Sequence, residues 1–125
     1  MEFFSQVNFS ISAEDLQARL TLASLPRWCA SIYEITAQDE RCAEMYCLWG
    51  GFRVCREIIQ GGVRFSLPGC PNAFVWTVTT QLDPDPEVVV LHATMNRQQH
   101  DPDFIESIET FVEDWKYGLQ RRLPR

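Results

Sequence analysis

The sequence predicts an α+β fold in which a curved antiparallel sheet of about seven strands packs against a long C-terminal helix. Two observations carry this prediction. Residues 44–67 alternate apolar and polar side chains around two Gly-Gly pairs, which predicts three antiparallel strands. Residues 101–119 repeat large apolar side chains every three or four positions, which predicts an amphipathic helix. The length of 125 residues suits one domain, so we expect residues 1–125 to form a single α+β domain.

The three-stranded meander fixes the predicted core. Gly50-Gly51 and Gly61-Gly62 are expected at the centres of two-residue turns, because glycine adopts positive φ without a steric penalty. This register places Arg56 opposite Met45 on one side and Leu67 on the other. One face then collects a nearly continuous apolar set: Met45, Cys47, Trp49, Phe52, Val54, Ile58, Val63, Phe65 and Leu67. A one-residue slip would scramble this face, so we expect it to be the buried one.

Arg56 is the one charged residue on that apolar face, in the central strand of the three. Burying a charge without a partner is costly, so its guanidinium must reach water, a structural partner or a ligand anion. Structural pairing is the commoner reason for such a residue. The alternative is that Arg56 supplies the polar end of a ligand site.

Before the meander, the sequence predicts a strand, one helix and a second strand. Residues 3–11 alternate apolar and polar side chains, as a strand with one buried face does. Ser12 resembles a helix N-cap, and the apolar spacing after it predicts one short helix over about residues 13–24. Pro26 disfavours further helix, and residues 29–36 predict the second strand.

After the meander, two more strands and the long helix are predicted. β-Branched and aromatic residues favour strands over residues 73–81 and 87–95, and an apolar run leaves the register of the last strand open. Residues 83–86, with the sequence DPDP, predict a turn between them. Asp101 and Pro102 predict the N-cap and the first residue of the C-terminal helix.

Charge and composition argue against several classes of partner. The formal net charge of −6 disfavours nucleic acid and anionic membranes. The chain does not start with a basic segment followed by an apolar run, and no apolar run is long enough to span a bilayer. We therefore expect a soluble, cytoplasmic protein without membrane insertion.

The cysteines are expected to be reduced and mostly buried, because they are odd in number and no CxxC spacing occurs. They are Cys29, Cys42, Cys47, Cys55 and Cys70. Neither their spacing nor a Cys/His pair supports a zinc site, so no metal or cofactor is predicted.

The order strand, helix, six strands and long aromatic helix resembles the helix-grip fold of the START and Bet v 1-like superfamily, also called the polyketide cyclase and dehydrase-like group. Members of that superfamily commonly hold an apolar ligand between the sheet and the last helix, so the resemblance implies a cavity there. The superfamily usually has two helices between its first two strands, where this sequence predicts one. We therefore expect a modest pocket with aromatic walls.

The resulting hypothesis is a small binding protein that holds an apolar or amphipathic, lipid-like or polyketide-like molecule between the sheet and the last helix. The side chains predicted to line the site are Arg56, Trp49, Phe65, Trp76, Phe111 and Trp115. The alternative is an interaction protein, chaperone-like or homodimeric, that binds through a sheet edge or through Leu48 and Ile59.

An enzyme of the cyclase or dehydrase type is the third and least favoured class, because no catalytic motif occurs. His92 and His100 are the only histidines. His100 is expected in a solvated loop. An acid/base site would require His92 to point inward beside Arg56.

Overall fold

The computed structural model describes residues 1–82, 85–96 and 101–123. The predicted turn at Asp83 and Pro84 and the predicted loop residue His100 lie outside these ranges. The elements in chain order are β1 (Glu2–Asn8), α1 (Ala13–Arg19), α2 (Leu25–Trp28), β2 (Ile32–Thr36), β3 (Cys42–Cys47), β4 (Gly50–Ile59), β5 (Gly62–Ser66), β6 (Val75–Thr80), β7 (Val88–Thr94) and α3 (Pro102–Arg122).

The strands form one seven-stranded antiparallel sheet in the order β1-β7-β6-β5-β4-β3-β2. The sheet curls around α3, and the α+β fold predicted from the sequence is confirmed. Asp101 is the N-cap of α3, as predicted, and its carboxylate accepts a hydrogen bond from the backbone N–H of Asp103 at 2.8 Å. The buried stripe of α3 includes Ile108, Phe111 and Trp115, which face the sheet.

Two short helices, rather than one longer helix, connect β1 to β2. Ser12 caps α1 as expected, because its hydroxyl accepts from the backbone N–H of Asp15 at 3.1 Å. α1 ends at Arg19, and the four-residue α2 follows with Pro26 in its first turn. A proline is tolerated there, because the first turn of a helix has no intrahelical partner for its N–H groups. None of the helices in the described ranges combines the length and the apolarity that crossing a membrane requires.

The predicted register of the meander is wrong. Cys47 pairs with Gly50, so the first turn is centred on residues 48–49 instead of the Gly-Gly pair. Met45 pairs with Phe52, four residues from the expected Arg56. Arg56 pairs with Phe65, two residues from the expected Leu67, and its backbone N–H donates to the carbonyl of Arg41 at 2.7 Å.

Both displacements are even numbers of residues, so every side chain stays on its predicted face. The predicted apolar face is the inner one: Met45, Cys47, Val54, Val63, Phe65 and Leu67 are buried there, whereas Ile58 is exposed. Gly50 and Gly61 do have positive φ, at 105° and 82°. Gly62 serves a different purpose, because a Cβ on it would lie 1.9 Å from the carbonyl oxygen of Val78 on β6.

Cys42 and Cys55 form a disulfide between β3 and β4, so the expectation of five free thiols is wrong. The two residues are direct cross-strand partners, with Cα atoms 4.0 Å apart. The predicted register hid this pair, because it placed Cys55 opposite Tyr46. Cys29, Cys47 and Cys70 are free.

The disulfide gives a count that mass spectrometry can test. Alkylation of the denatured protein without reductant should add three groups, and five after reduction. In the folded protein Cys70 should react first, because burial raises the pKa of Cys29 and Cys47 and keeps both as thiols. Five adducts without reductant would contradict the disulfide.

Candidate functional site

An aromatic cluster fills the space between the sheet and α3, where the sequence predicted a ligand site. The helix contributes Phe111, whose ring centroid lies 5.0 Å from those of both Trp49 and Trp76 on the sheet side. Phe65 stacks on Trp76 at 5.3 Å and approaches Trp115 at 6.2 Å. Four of these predicted side chains are completely buried: Phe65, Trp76, Phe111 and Trp115. Close contact among the rings leaves the middle of this interface filled.

Open space remains at one end of the interface, beside the first turns of α3. We call this cavity of about 80 Å³ the apolar recess. Its side walls are Trp49, Phe52, Leu67, Phe74 and Phe104, and the β5–β6 loop closes it with Cys70, Pro71 and Asn72. Of the six side chains predicted to bind a ligand, Trp49 lines the recess directly.

Trp49 is held at the recess by both ring contacts and a hydrogen bond. Its ring meets Phe74 edge-on at 5.2 Å and lies 6.2 Å from Phe104. Its indole N–H donates to the hydroxyl of Ser107 on α3 at 2.8 Å, and that hydroxyl donates to the carbonyl of Phe104 at 2.5 Å. The β3–β4 turn is thereby tied to the start of α3.

Two buried donors lie deeper in the cluster. The indole N–H groups of Trp76 and Trp115 have no hydrogen-bond partner among the described residues. Leaving such a group unpaired inside a protein costs about 1–3 kcal/mol. Phe74 lies between the recess and Trp76, with its ring 5.7 Å from that indole.

Arg56 is on the inner face as predicted, and it caps the C-terminal end of α1. Its Nε donates to the carbonyl of Leu20 at 2.7 Å, and its Nη2 donates to the carbonyl of Gln17 at 2.6 Å. A helix C-terminus has free carbonyls and favours a cation, so this pairing satisfies both groups. Partial burial lowers the pKa of Arg56, but a guanidinium stays protonated at neutral pH.

Arg56 also lines a different cavity from the recess. This cleft of about 530 Å³ is also lined by Arg41, Ile58 and the Cys42–Cys55 disulfide. A role of Arg56 in anchoring a ligand therefore stays a prediction.

His92 lies on the outer face of the sheet. It stacks on Phe4, with ring centroids 4.3 Å apart, and its Nε2 lies 2.9 Å from Oε1 of Glu2. The enzyme hypothesis required His92 to point to the inner face beside Arg56. The observed side chain points to the opposite face. In the ranges described, no three His, Cys, Asp or Glu residues are arranged to hold a metal ion.

The position of the recess was not predicted from the sequence, because the walls of the recess come from three separate segments. The β5–β6 loop contributes Cys70, Pro71 and Asn72, and its sequence by itself indicates only a break between two strands. Phe74 lies in a predicted strand and Phe104 in the apolar repeat of the predicted helix. Their position at the ends of these elements was the signal that they could border an opening.

No protein-family model matches the sequence, and no curated protein matches it either. The fold is similar to that of a START superfamily protein from Mycobacterium smegmatis, with a TM-score of 0.64, 13% identity and coverage of 97% of this chain and 95% of that one. An uncharacterised protein from Bacillus thuringiensis gives a TM-score of 0.67 at 14% identity, covering 97% of each chain. The protein XoxI from Bacillus cereus gives 0.68 at 14% identity, covering 96% of this chain and 93% of that chain. At such identities the likeness shows a START-like fold.

The contacts of Arg56 predict that Arg56→Met destabilises the protein. The change leaves the carbonyls of Gln17 and Leu20 without their charged donor, which should cost about 2–3 kcal/mol in urea unfolding. Arg64→Met is the matched control, because Arg64 lies on the outer face and forms an exposed ion pair with Glu57 at 3.7 Å. It should change stability by less than about 0.5 kcal/mol. A stable Arg56→Met variant would instead favour a ligand role for the guanidinium.

Proposed function

We propose that this START-like chain is a small-molecule binding protein that holds an apolar or amphipathic molecule, lipid-like or polyketide-like, between the sheet and α3. The observation that carries the proposal is the apolar recess at the Trp49 end of that interface. Concave apolar sites with a few polar groups are the usual form of ligand sites in proteins.

The size of the recess limits what it accepts. Its volume is about 80 Å³, whereas an engineered apolar cavity of about 150 Å³ accommodates benzene. The recess as it stands therefore suits the apolar end of a ligand, with the polar end left at the surface. A larger ligand would require Trp49 to move, which breaks one neutral hydrogen bond, to Ser107.

The deeper part of the cluster supports a ligand that carries a hydrogen-bond acceptor. A molecule that displaced Phe74 would approach the unpaired indole N–H of Trp76. Satisfying that donor would recover part of the cost of burying it. The involvement of Phe65, Phe111, Trp115 and Arg56 in this site is part of the proposal.

Three further expectations remain proposals: one domain over the whole chain, no catalytic activity and a cytoplasmic location. The Cys42–Cys55 disulfide bears on the last of these, because stable disulfides are rare in reducing compartments. A cytoplasmic protein would hold this pair as dithiol for much of its life. The redox state of Cys42 and Cys55 in cells would distinguish a reducing location from an oxidising one.

Homodimerisation through the β2 edge is the second candidate function. β2 is a terminal strand of the sheet, and edge strands offer unpaired backbone groups to a partner. Tyr33 and Tyr46, which are 55% and 57% exposed, place their rings 5.9 Å apart beside that edge. Leu48 and Ile59, the other residues that the sequence predicts for this role, are partly buried. Light scattering that shows a strict monomer at millimolar concentration would count against this candidate.

Titration with hexanol and with hexanoate tests the ligand proposal, because each has an alkyl end that can enter the recess and a polar end that can stay at the surface. Both probes should produce saturable shifts in ¹H–¹⁵N spectra, at the amides of residues 69, 70 and 72–74 and in the first turns of α3. Cys70→Trp should abolish the shifts, because the new side chain fills the recess. Gly69→Trp is the matched control in the same loop, because a Cβ at Gly69 meets open space.

The outcomes are distinct. Equal shifts in both variants would mean that the probes bind elsewhere. An absence of saturable shifts in the unmodified protein would contradict binding at the recess.

A further inference from the structure

A groove of about 410 Å³ lies between α2 and the second half of α3. Arg27 and Trp28 border it on the α2 side, and Tyr117, Arg121 and Arg122 border it on the α3 side. We call it the basic groove. It is separate from the apolar recess, because Phe104 and Arg121 lie about 25 Å apart along the axis of α3.

A close backbone contact fixes the floor of the groove. A Cβ on Gly118 would lie 1.8 Å from the carbonyl oxygen of Trp28, so only glycine permits this approach of α3 to α2. Trp28 itself is buried in the core. Arg27 and Arg121, which are far apart in the sequence, are therefore brought to one surface by elements that cannot slide freely.

The charges of this groove stand out in an acidic chain. Elsewhere in the described ranges, Arg19, Arg53 and Arg64 each pair with a carboxylate. Arg56 binds backbone carbonyls, and Arg41 is a single arginine without a carboxylate at ion-pair distance in those ranges, whereas the groove gathers three. Arg27, Arg121 and Arg122 have no acidic partner within ion-pair distance in the same ranges. Three guanidinium groups line the groove against the one carboxylate of Asp114, so in a protein of net charge −6 it forms a local positive site.

Aromatic rings hold two of these side chains while leaving most of their donors available. The Cζ of Arg121 lies 5.1 Å from the ring centroid of Tyr117, and its Nε donates to the Tyr117 hydroxyl at 3.0 Å. The Cζ of Arg27 lies 5.9 Å from the ring centroid of Trp28. Each guanidinium has five N–H donors, and those not used in these contacts can bind anionic oxygens in pairs.

The helix end accounts for only part of this arrangement. Cations in the last turn of α3 interact favourably with its carbonyl end, which would suffice for Arg121 and Arg122. Arg27 lies in the last turn of the four-residue α2, and neither helix end explains why it shares a groove with the arginines of α3. Asp114 also lines the groove, but it lies about 10 Å from Arg121 along the helix axis and accepts a hydrogen bond from the Ser31 hydroxyl at 2.5 Å.

We propose that the basic groove binds a small polyanion with clustered anionic oxygens, such as a diphosphate or a tricarboxylate group, between Arg27 and the Arg121–Arg122 pair. The volume of the groove is in the range of small-molecule sites. The exposed ring of Tyr117 adds a flat surface for an organic part of the ligand.

Calorimetric titration of the folded protein with pyrophosphate and with citrate, at constant ionic strength, tests the proposal. Saturable binding of at least one is expected, and the stronger of the two identifies the anion class. Arg27→Gln and Arg121→Gln should each weaken it by about tenfold, because each removes a charged donor pair. Tyr117→Phe should weaken it less, since it removes only the hydrogen bond that orients Arg121.

Arg64→Gln is the control, because it removes the same charge on the outer face of the sheet, away from the groove. It should leave the affinity within about twofold. Equal weakening by Arg64→Gln and Arg27→Gln would show attraction to net charge only and would overturn the proposal. So would the absence of saturable binding of either anion at millimolar concentration.

Discussion

The structure depends on the ring contacts between α3 and the inner face of the sheet. A curved sheet leaves a concave apolar face that must be covered, and Phe111 covers it by contacting Trp49 and Trp76 at 5.0 Å each. These contacts attach the helix to the sheet, and they also occupy the volume that a ligand would need. Within this interface, the space that the described residues leave open lies where the rings end, at Trp49 and Phe104. Packing and ligand capacity compete for the same interior.

The two ends of the sheet–helix interface are closed by different interactions. α1 closes one end, through two charge-assisted bonds from Arg56 and through Gln17, whose amide donates to the carbonyls of Ile59 and Gly62 at 3.1 Å each. The other end is closed by the neutral bond from Trp49 to Ser107 and by the ring contacts of Trp49 with Phe74 and Phe104. A charge-assisted bond contributes about 1.5–3 kcal/mol and a neutral one about 0.5–1.5 kcal/mol. The hydrogen bonding is therefore weaker at the Trp49 end, where ring contacts supply the rest of the closure.

The sequence predicts which face of the sheet a side chain lies on better than it predicts which groups that side chain contacts. The alternation of apolar and polar residues decides which side chains point inward, and an error in register by an even number of residues does not change it. The fold and the inner face were therefore predicted correctly, although Arg56 faces Phe65 instead of Leu67. The Cys42–Cys55 disulfide was not predicted, because a bond between two strands depends on which residues lie opposite each other, and the predicted register was wrong. The partner of Arg56 was also beyond prediction. Its acceptors are backbone carbonyls at the end of α1, and their position depends on where that helix stops.

Both candidate sites are formed by residues that meet only after the chain has folded. Gly118 illustrates why sequence alone could not reveal the basic groove. A glycine inside a helix costs about 0.5–1 kcal/mol relative to alanine, which by itself only suggests a weak point in α3. In the structure, the missing Cβ lets the helix approach the carbonyl of Trp28, and that approach places Arg27 beside the arginines of the last helical turn. The cost of the glycine is thus offset by packing against α2, and the same contact brings the positive charges together.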